Sequence, residues 1–542
     1  MAIQSSNPFE IHTMGQWKGL NQQAPRGSID DDEEWWNENL FAIGPGALRS
    51  CWGHGPAIYT APSGTAILRI FFGFIGDVTS QFAAPPPGRY GWMFLSDGTI
   101  DQVDLDTQAV VHIGTACNPI APQYWGTAVV WRPQYFGSAA GQAGGVLFGS
   151  PQGATSGGLY AWDGSTLSPP GSTAPDWLTN QQETNPGPPI YTMPVGLPGI
   201  YCMEVYQSRL FVAGKDVISF SAPSNGADFS TTDGGGSFGY FGNKLTYVFN
   251  DLASSAGYLF VFGDSSTDMI SNVQLAGQGT AAAPFTTNMN YQNLDPQVGH
   301  RFPRPVGRIG RYMEMYNGAG IFEMRGAEAR EIGARVTNIY NTLDTSQFLP
   351  TMCPATMFGF RVLLCNGMFT DPWGVKRHLL LMWHPGANEF WSVASQNLNL
   401  THIGAYEQDS IITPYGTDGT SLYQLFAQPD PALIKKLATK YLRGQGQKQL
   451  VIKNWKRLFL EFHDEFGGGV SFTGKLVTHA GGVPGGSQDI GFSMPPGAKY
   501  AFEPQATEGA GIAAAVDLQS LSPDFTIERL HLGAEDRVLF GA

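Results

Sequence analysis

The sequence predicts an all-β protein, with a β-propeller-like core of about six to eight irregular blades and inserted loops, plus a small C-terminal β-sandwich-type domain. Three observations carry this prediction. A pattern of an apolar run of strand length, a Gly-centred turn with Asp, Ser or Asn, and a second apolar run occurs seven times. The repeats stand roughly 40 to 60 residues apart, the spacing of propeller blades, whereas the turns of a sandwich recur about every 8 to 12 residues. The composition, with 69 Gly, 37 Pro, 12% aromatic and only 14% charged residues, is that of a large body rich in turns and neutral surface.

The repeats are Gly91 to Leu105, Gly144 to Trp162, Ser208 to Ser221, Gly257 to Val273, Tyr312 to Gly326, Arg361 to Trp383 and Ile411 to Phe426. Each reads as an antiparallel hairpin, because Val, Ile, Leu, Phe, Tyr and Trp flank a turn whose residues tolerate positive φ. One blade cannot bury both of its faces, and a closed ring of blades covers them.

Three regions follow. Residues 1–80 form an N-terminal arm with the first strands. It carries the acidic run Asp30, Asp31, Asp32, Glu33, Glu34, then Trp35 and Trp36, then a Gly-Pro-Gly turn at 44–46. Residues 81–428 hold the propeller-like domain, with Pro/Gly/Ser/Thr-rich inserts at 165–199 and 276–305 that exceed tight blade connections and read as excursions toward neighbours. Residues 429–542 open on an expected helix, Pro429 to Leu442, in which Asp430 precedes Pro431, Gly444 lies past the end, and Leu433, Leu437 and Tyr441 form one stripe. Alternating strands follow at Gln449 to Ile452 and Arg457 to Phe462, with late strands near Phe525 to Leu532 and Val538 to Phe540.

The net charge of −14 opposes a general nucleic-acid-binding surface, yet an acidic wall can surround DNA without gripping it. Lys435, Lys436, Lys440, Arg443, Lys448, Lys453, Lys456 and Arg457 form a basic run with no acidic residue between its ends. It admits two readings, contact with DNA phosphates or with a neighbouring subunit, and a solvated face paired with acidic residues such as the Asp30 to Glu34 run. The five cysteines are odd in number and widely spaced, as expected of buried reduced thiols. The N-terminus lacks the basic start and apolar core of a signal peptide, and no run approaches about 18 apolar residues, so no membrane insertion is expected.

Signatures of catalysis are absent: there is no H-E-x-x-H, P-loop or G-x-S-x-G. Cys51 with His54 lacks a second ligand cluster, His378 and His384 with Asp371 read as strand-end residues, and Asp97, Asp101, Asp104 and Asp106 read as turn and strand-edge charges rather than a calcium loop. Ser96 to Thr99 resembles the Asp-box turn of sialidases, without its closing aromatic and without repetition. No catalytic residue, metal or cofactor is expected, and the chain reads as a non-enzyme.

The segments Ser208 to Phe229, with its RLFVAG strand followed by SAPSNGADF, Gly257 to Ile270, and Pro45 to Ser50 resemble the tail-hub or nozzle proteins of short-tailed bacteriophages, also called packaged-DNA stabilisation proteins. The resemblance touches about a third of the chain, and Cys51-Trp52-Gly53 replaces the R-P-G that often follows the N-terminal turn. It implies a structural virion protein made in the host cytoplasm. Such a protein forms a hexameric ring below the portal adaptor, retains the packaged DNA that passes through without sequence recognition, and anchors tail fibres or spikes. In that setting Asp30 to Trp36 become candidates for subunit or adaptor contact, and the Lys435 to Arg457 cluster for intersubunit or DNA contact. The alternative from another class is a tail-associated propeller that binds or degrades a surface glycan, since aromatic platforms stack on sugar rings.

Overall fold

A computed structural model describes the chain except residues 1–8, 76–87, 116–125, 132–144, 150–157, 163–166, 169–199, 240–250, 444–451, 537–542 and shorter stretches of one to three residues. All seven hairpins form, and each supplies the second and third strands of a four-stranded antiparallel meander. Blade 1 begins at Ile67–Ile75, blade 2 at Thr127–Trp131, blade 3 at Cys202–Tyr206, blade 4 at Asp251–Ser255, blade 5 at Val306–Ile309, blade 6 at Thr351–Met357 and blade 7 at His402–Gln408. Six of these meanders are separate sheets, and blade 6 runs on into a larger one. The fourth strand of blade 7 is Ala57–Thr60, which pairs with Ser421–Gln424 and closes the ring with the N-terminal part of the chain.

The ring is held by seven wedges of apolar side chains, one between each pair of neighbouring blades. Strand alternation builds them. In Arg209–Ala213, Leu210 and Val212 pack toward blade 2, and Phe211 and Ala213 pack toward blade 4. In Tyr258–Phe262, Leu259 and Val261 face blade 3, and Phe260 and Phe262 face blade 5. Both faces of these middle strands are buried, so they read in the sequence as unbroken apolar runs. The innermost strands crowd toward the axis. A Cβ on Gly73 would lie 2.4 Å from Val130 Cγ2, and one on Gly307 would lie 2.5 Å from Leu363 Cδ1, so no larger residue fits without displacing its neighbour.

The rest of the chain forms two sheets beside the ring. One has the order Leu40–Ala42, Leu48–Ser50, Phe525–Asp536, Lys453–Asp464, Tyr500–Gly511, with Phe9–Met14 also along Phe525–Asp536. The other continues blade 6: Phe390–Ala394 pairs in parallel with Glu34–Glu38, followed by Lys435–Thr439, Ala513–Ser520, Val470–Ala480 and Val483–Met494. Both contribute to a single apolar core that includes Trp455, Leu460, Phe462, Phe472, Leu518 and Phe525. The second sheet is therefore shared, hydrogen-bonded without a break from a propeller blade into the C-terminal unit.

Several expectations are corrected. The helix over Pro429 to Leu442 does not form. Asp430 instead accepts a hydrogen bond from the Ala432 amide at 2.7 Å, and the chain continues as strands Lys435–Thr439 and Leu442–Arg443. Pairing on both edges, with Glu34–Glu38 and Ala513–Ser520, outweighs a helical preference that a short amphipathic segment cannot sustain alone. Ala57–Thr60 and Ile67–Ile75, placed by sequence in the N-terminal arm, belong to the ring. The insert at 276–305 contains Thr286–Asp295, the outer strand of blade 4. Most of the 165–199 insert and the strand expected at Val538 to Phe540 lie outside the described residues, as do Gln449 to Val451. Ile452 leads into the longer strand Lys453–Asp464.

Candidate functional site

The acidic and basic runs meet at the seam between ring and C-terminal unit. Glu34–Glu38 and Lys435–Thr439 are antiparallel neighbours, pairing Glu38 with Lys436 and Trp36 with Ala438. Lys440 Nζ lies 2.6 Å from Asp31 Oδ1 and donates to the Ile29 carbonyl at 2.7 Å. Within the acidic run only Asp30 and Asp31 are exposed and Asp32 is half-buried. Glu33 is buried and caps its own turn, accepting from the Asp30 amide and the Asn21 side chain, both at 2.8 Å. Glu34 and Trp36 are fully buried and offer no surface, whereas Trp35 is half-buried under the Arg26 guanidinium, 4.7 Å from its ring centroid.

The basic run divides in the same way. Lys435 is buried, and its ammonium donates to the carbonyls of Asp430 (2.8 Å) and Ser522 (2.9 Å). Lys453 is buried between Glu10 (2.5 Å) and Asp536 (2.9 Å). These two cations hold the fold together and are withdrawn from any partner. Lys436 is half-buried, 3.8 Å from Glu38, and Lys456 is exposed, 2.5 Å from Glu535. Arg443 and Arg457 are exposed, the latter over the Phe9 ring, and Lys448 lies outside the described residues.

Sequence reasoning missed the residues that organise this seam. Glu38, 2% exposed, is gripped by both terminal nitrogens of Arg377 at 2.7 and 2.9 Å and accepts from Trp36 Nε1 at 3.0 Å. Arg377 Nε in turn lies 3.1 Å from Asp371, whose other oxygen receives the amides of Trp373 (3.0 Å) and Val375 (2.9 Å). The D-P-W-G turn at 371–374 was the available signal, since an Asp before Pro and Gly fixes its own loop. At the other end of the seam, buried Asp524 accepts from Arg49, Ser50 and Trp52 and ties the N-terminal turn to the last sheet.

Glu34 has an unusual environment. Burial holds its carboxyl well above the usual carboxylate range, and neither oxygen makes a hydrogen bond of ordinary geometry. The unfolded chain ionises this group near pH ~4.3 while the folded chain keeps it protonated, so its contribution to stability is lost as pH rises from that value through the folded one. Glu34→Gln, neutral throughout, is expected to gain in stability over wild type as pH rises from 5 to 8. Urea midpoints at the two pH values check this, and an equal change at both would refute it.

The ring encloses a cavity of about 870 Å³ lined by the innermost strands of all seven blades. Its polar groups link neighbouring blades: Ser254 Oγ donates to Glu204 at 2.6 Å, Arg308 to the Ser254 carbonyl at 3.2 Å, and the Ile403 amide to Thr351 Oγ1 at 3.0 Å. The other candidates take structural positions. Asp101 receives the Tyr59 hydroxyl at 2.6 Å and lies 2.7 Å from His112 Nδ1, while Asp97 and Asp104 cap turns and Asp106 pairs with Arg89. His378 stacks on Phe348, and His384 on Phe41. Cys51, Cys202, Cys353 and Cys365 are buried, and burial pushes the Cys365 thiol up to about 12. Cys117 lies outside the described residues. Among the described residues no group of three or more His, Cys, Asp or Glu side chains could hold a metal ion. No described helix is long and apolar enough to cross a membrane.

No protein-family model matches this chain, and no curated protein sequence matches it. Among solved structures it is similar to BBS1N in complex with ARL6DN, at 10% identity and a TM-score of 0.39, over 69% of this chain and 97% of that one. It is also similar to the Bacteroides ovatus Xyloglucan PUL GH43B, at 10% identity and a TM-score of 0.23, over 87% of this chain and 100% of that one. A Bacillus thuringiensis Cry1Da tryptic core variant matches at 11% identity and a TM-score of 0.15, over 53% of this chain and 50% of that one. At such identities and scores these likenesses assign no activity.

Proposed function

We propose that this chain is a non-enzymatic structural subunit of the tail nozzle, or hub, of a short-tailed bacteriophage. It works as a ring of about six copies joined to the head-to-tail adaptor, retaining the packaged DNA and anchoring fibre or spike proteins. The observation that carries the reading is the shared sheet. A part that must transmit force between an adaptor and distal proteins needs its modules joined, and here Glu34–Glu38 joins them, pairing with the blade at Glu38 and Val393 and with the C-terminal unit along the antiparallel ladder to Lys435–Thr439.

Two further features support it. Two of the three segments resembling nozzle proteins fall on the middle hairpins of blades 3 and 4, and the third, Pro45 to Ser50, on the strand Leu48–Ser50 beside the ring. The outer hairpin of blade 4 carries no charged side chain between Asp268 and Asp295, and it exposes Leu275, so it offers a neutral surface of the kind subunit contacts use. The DNA conduit of this proposal lies between copies. The cavity inside one ring, about 870 Å³, is too small for a duplex, whose major groove alone is about 12 Å wide.

The test is mass by light scattering with negative-stain images, on the chain alone and mixed with the adaptor ring of the same virion. A ring of about six copies, alone or formed on the adaptor, is the expected result. A monomer that ignores the adaptor would overturn the reading.

A further inference from the structure

A second cavity, of about 590 Å³, lies where the 371–375 loop of blade 6 overhangs the C-terminal sheet. We propose that it is a binding site for a neutral saccharide. Its size falls within the range of about 300–1,000 Å³ typical of small-ligand sites. Its floor follows from strand alternation. Leu437, Leu518, Leu476 and Ile490 turn inward to the shared core, so the residues between them face the groove. One register row there aligns Lys436, Gln519 and Thr473, and the next aligns Asp517, Lys475 and Asp489.

That floor chooses its ligand by charge. Two ammonium groups and two carboxylates cancel, and the partners behind the floor, Arg26 on Asp517 and Glu38 beside Lys436, cancel likewise, so neither a polyanion nor a polycation meets a field of one sign. What the floor presents is a dense mixture of donors and acceptors on rigid strands, with an amide and a hydroxyl among them. A neutral ring bearing several hydroxyls matches such a floor, since each hydroxyl both donates and accepts.

The wall supplies the other half of sugar recognition, an aromatic surface for the C–H face of the ring. Trp373 is 49% exposed, yet it is held in place. It makes edge contacts with Trp35 (centroids 5.6 Å apart) and Trp36 (5.7 Å), and Lys436 Nζ lies 5.8 Å from its centroid. The loop beneath it is pinned by Asp371 and, through Arg377, by buried Glu38. A large aromatic kept half in water by a network of buried ion pairs is preorganised for contact, since the core gains nothing from its exposed half.

The test runs the full chain through native gels containing neutral polysaccharides (dextran, galactomannan, xylan, a β-glucan) and titrates the matching oligosaccharides against tryptophan fluorescence. At least one polymer is expected to retard the wild type. Trp373→Ala is expected to weaken binding about tenfold or more, Gln519→Ala about threefold to tenfold, and Trp373→Phe less than either. Thermal midpoints close to wild type would show that the variants fold. Retardation by no polymer, or retardation unchanged in both alanine variants, would overturn the proposal. Loss of ring assembly or adaptor binding in the variants without any saccharide effect would also overturn it and make the groove a protein contact. Because assembly is read separately, failure here leaves the nozzle proposal standing.

Discussion

Arg377→Ala is expected to lower stability by about 3–5 kcal/mol, the largest effect of any single change at the seam. The reason is what it leaves behind. Glu38 is 2% exposed, and its carboxylate is matched by the two terminal nitrogens of Arg377. The remaining neighbours, Trp36 Nε1 at 3.0 Å and Lys436 at 3.8 Å, do not replace a bidentate partner. Removing the guanidinium therefore strands a buried charge, and it also frees Asp371 and the Trp373 loop. The pair as such contributes far less than this loss, because both ions were taken out of water to form it. Arg377→Met combined with Glu38→Gln should accordingly recover at least half of the loss, the amide oxygen still accepting from Trp36. Chemical denaturation followed by tryptophan fluorescence measures all three proteins. A loss under about 1 kcal/mol for Arg377→Ala would show that water reaches Glu38 and that the seam is not locked by this pair.

Which parts of this fold were legible in the sequence follows from burial on one or both faces. Hairpins such as Arg209–Ala213 with Val217–Phe220 stood out because each strand packs against two neighbouring blades and is apolar on both faces, with only Arg209 and Ser219 as buried polar exceptions. The outer strands gave little signal: Gly236–Gly239 reads GSFG and Glu328–Glu331 reads EARE, since an edge strand has one partner and much solvent. Ala57–Thr60 was unreadable as the closing strand, because its partner lies more than 360 positions later in the chain.

At the seam, the sequence misled for a different reason. The stripe of Leu433, Leu437 and Tyr441 has helical spacing, but the buried set in the strand is Lys435, Leu437, Ala438 and Thr439. A lysine at an interior position defeats any reading from hydrophobicity, because its burial depends on two carbonyls that only the folded chain brings to it. The acidic and basic runs likewise looked like surface features and form in part an internal contact, with Lys440 on Asp31 and Glu38 beside Lys436. Their pairing is one of the readings of the sequence; what the charge pattern does not show is the antiparallel register that sets Glu38 beside Lys436, some 400 residues along the chain.

The same lysine gives the second large effect, a contribution to stability that rises as pH increases from about 8 toward 10.5. Burial pushes the Lys435 ammonium down to about 8, with nearby Asp430 only partly opposing it. Below pH 8 both the folded and the unfolded chain carry the proton, so the cost of burying the cation is fully present and constant. Between pH 8 and 10.5 the folded chain has released the proton while the unfolded chain still holds it. At Lys435 the unfolded state then binds more protons, and this group's contribution climbs by about 3 kcal/mol across the window. The buried thiols of Cys51, Cys353 and Cys365, held above their usual range by burial, lower stability over the same pH range in wild type and variant alike. Lys435→Met carries no proton at any pH and should be flat in this respect. The quantity to measure is therefore the difference between wild type and variant in urea midpoints at pH ~7, 8, 9 and 10. Buried tyrosines such as Tyr59 and Tyr316, held above their usual range by burial, pull stability down near the top of this window in both proteins and cancel in the difference. A difference that stays constant from pH 7 to 10 would mean that Lys435 keeps its ordinary affinity for the proton. Its two carbonyl partners would then stabilise the charge as well as water does.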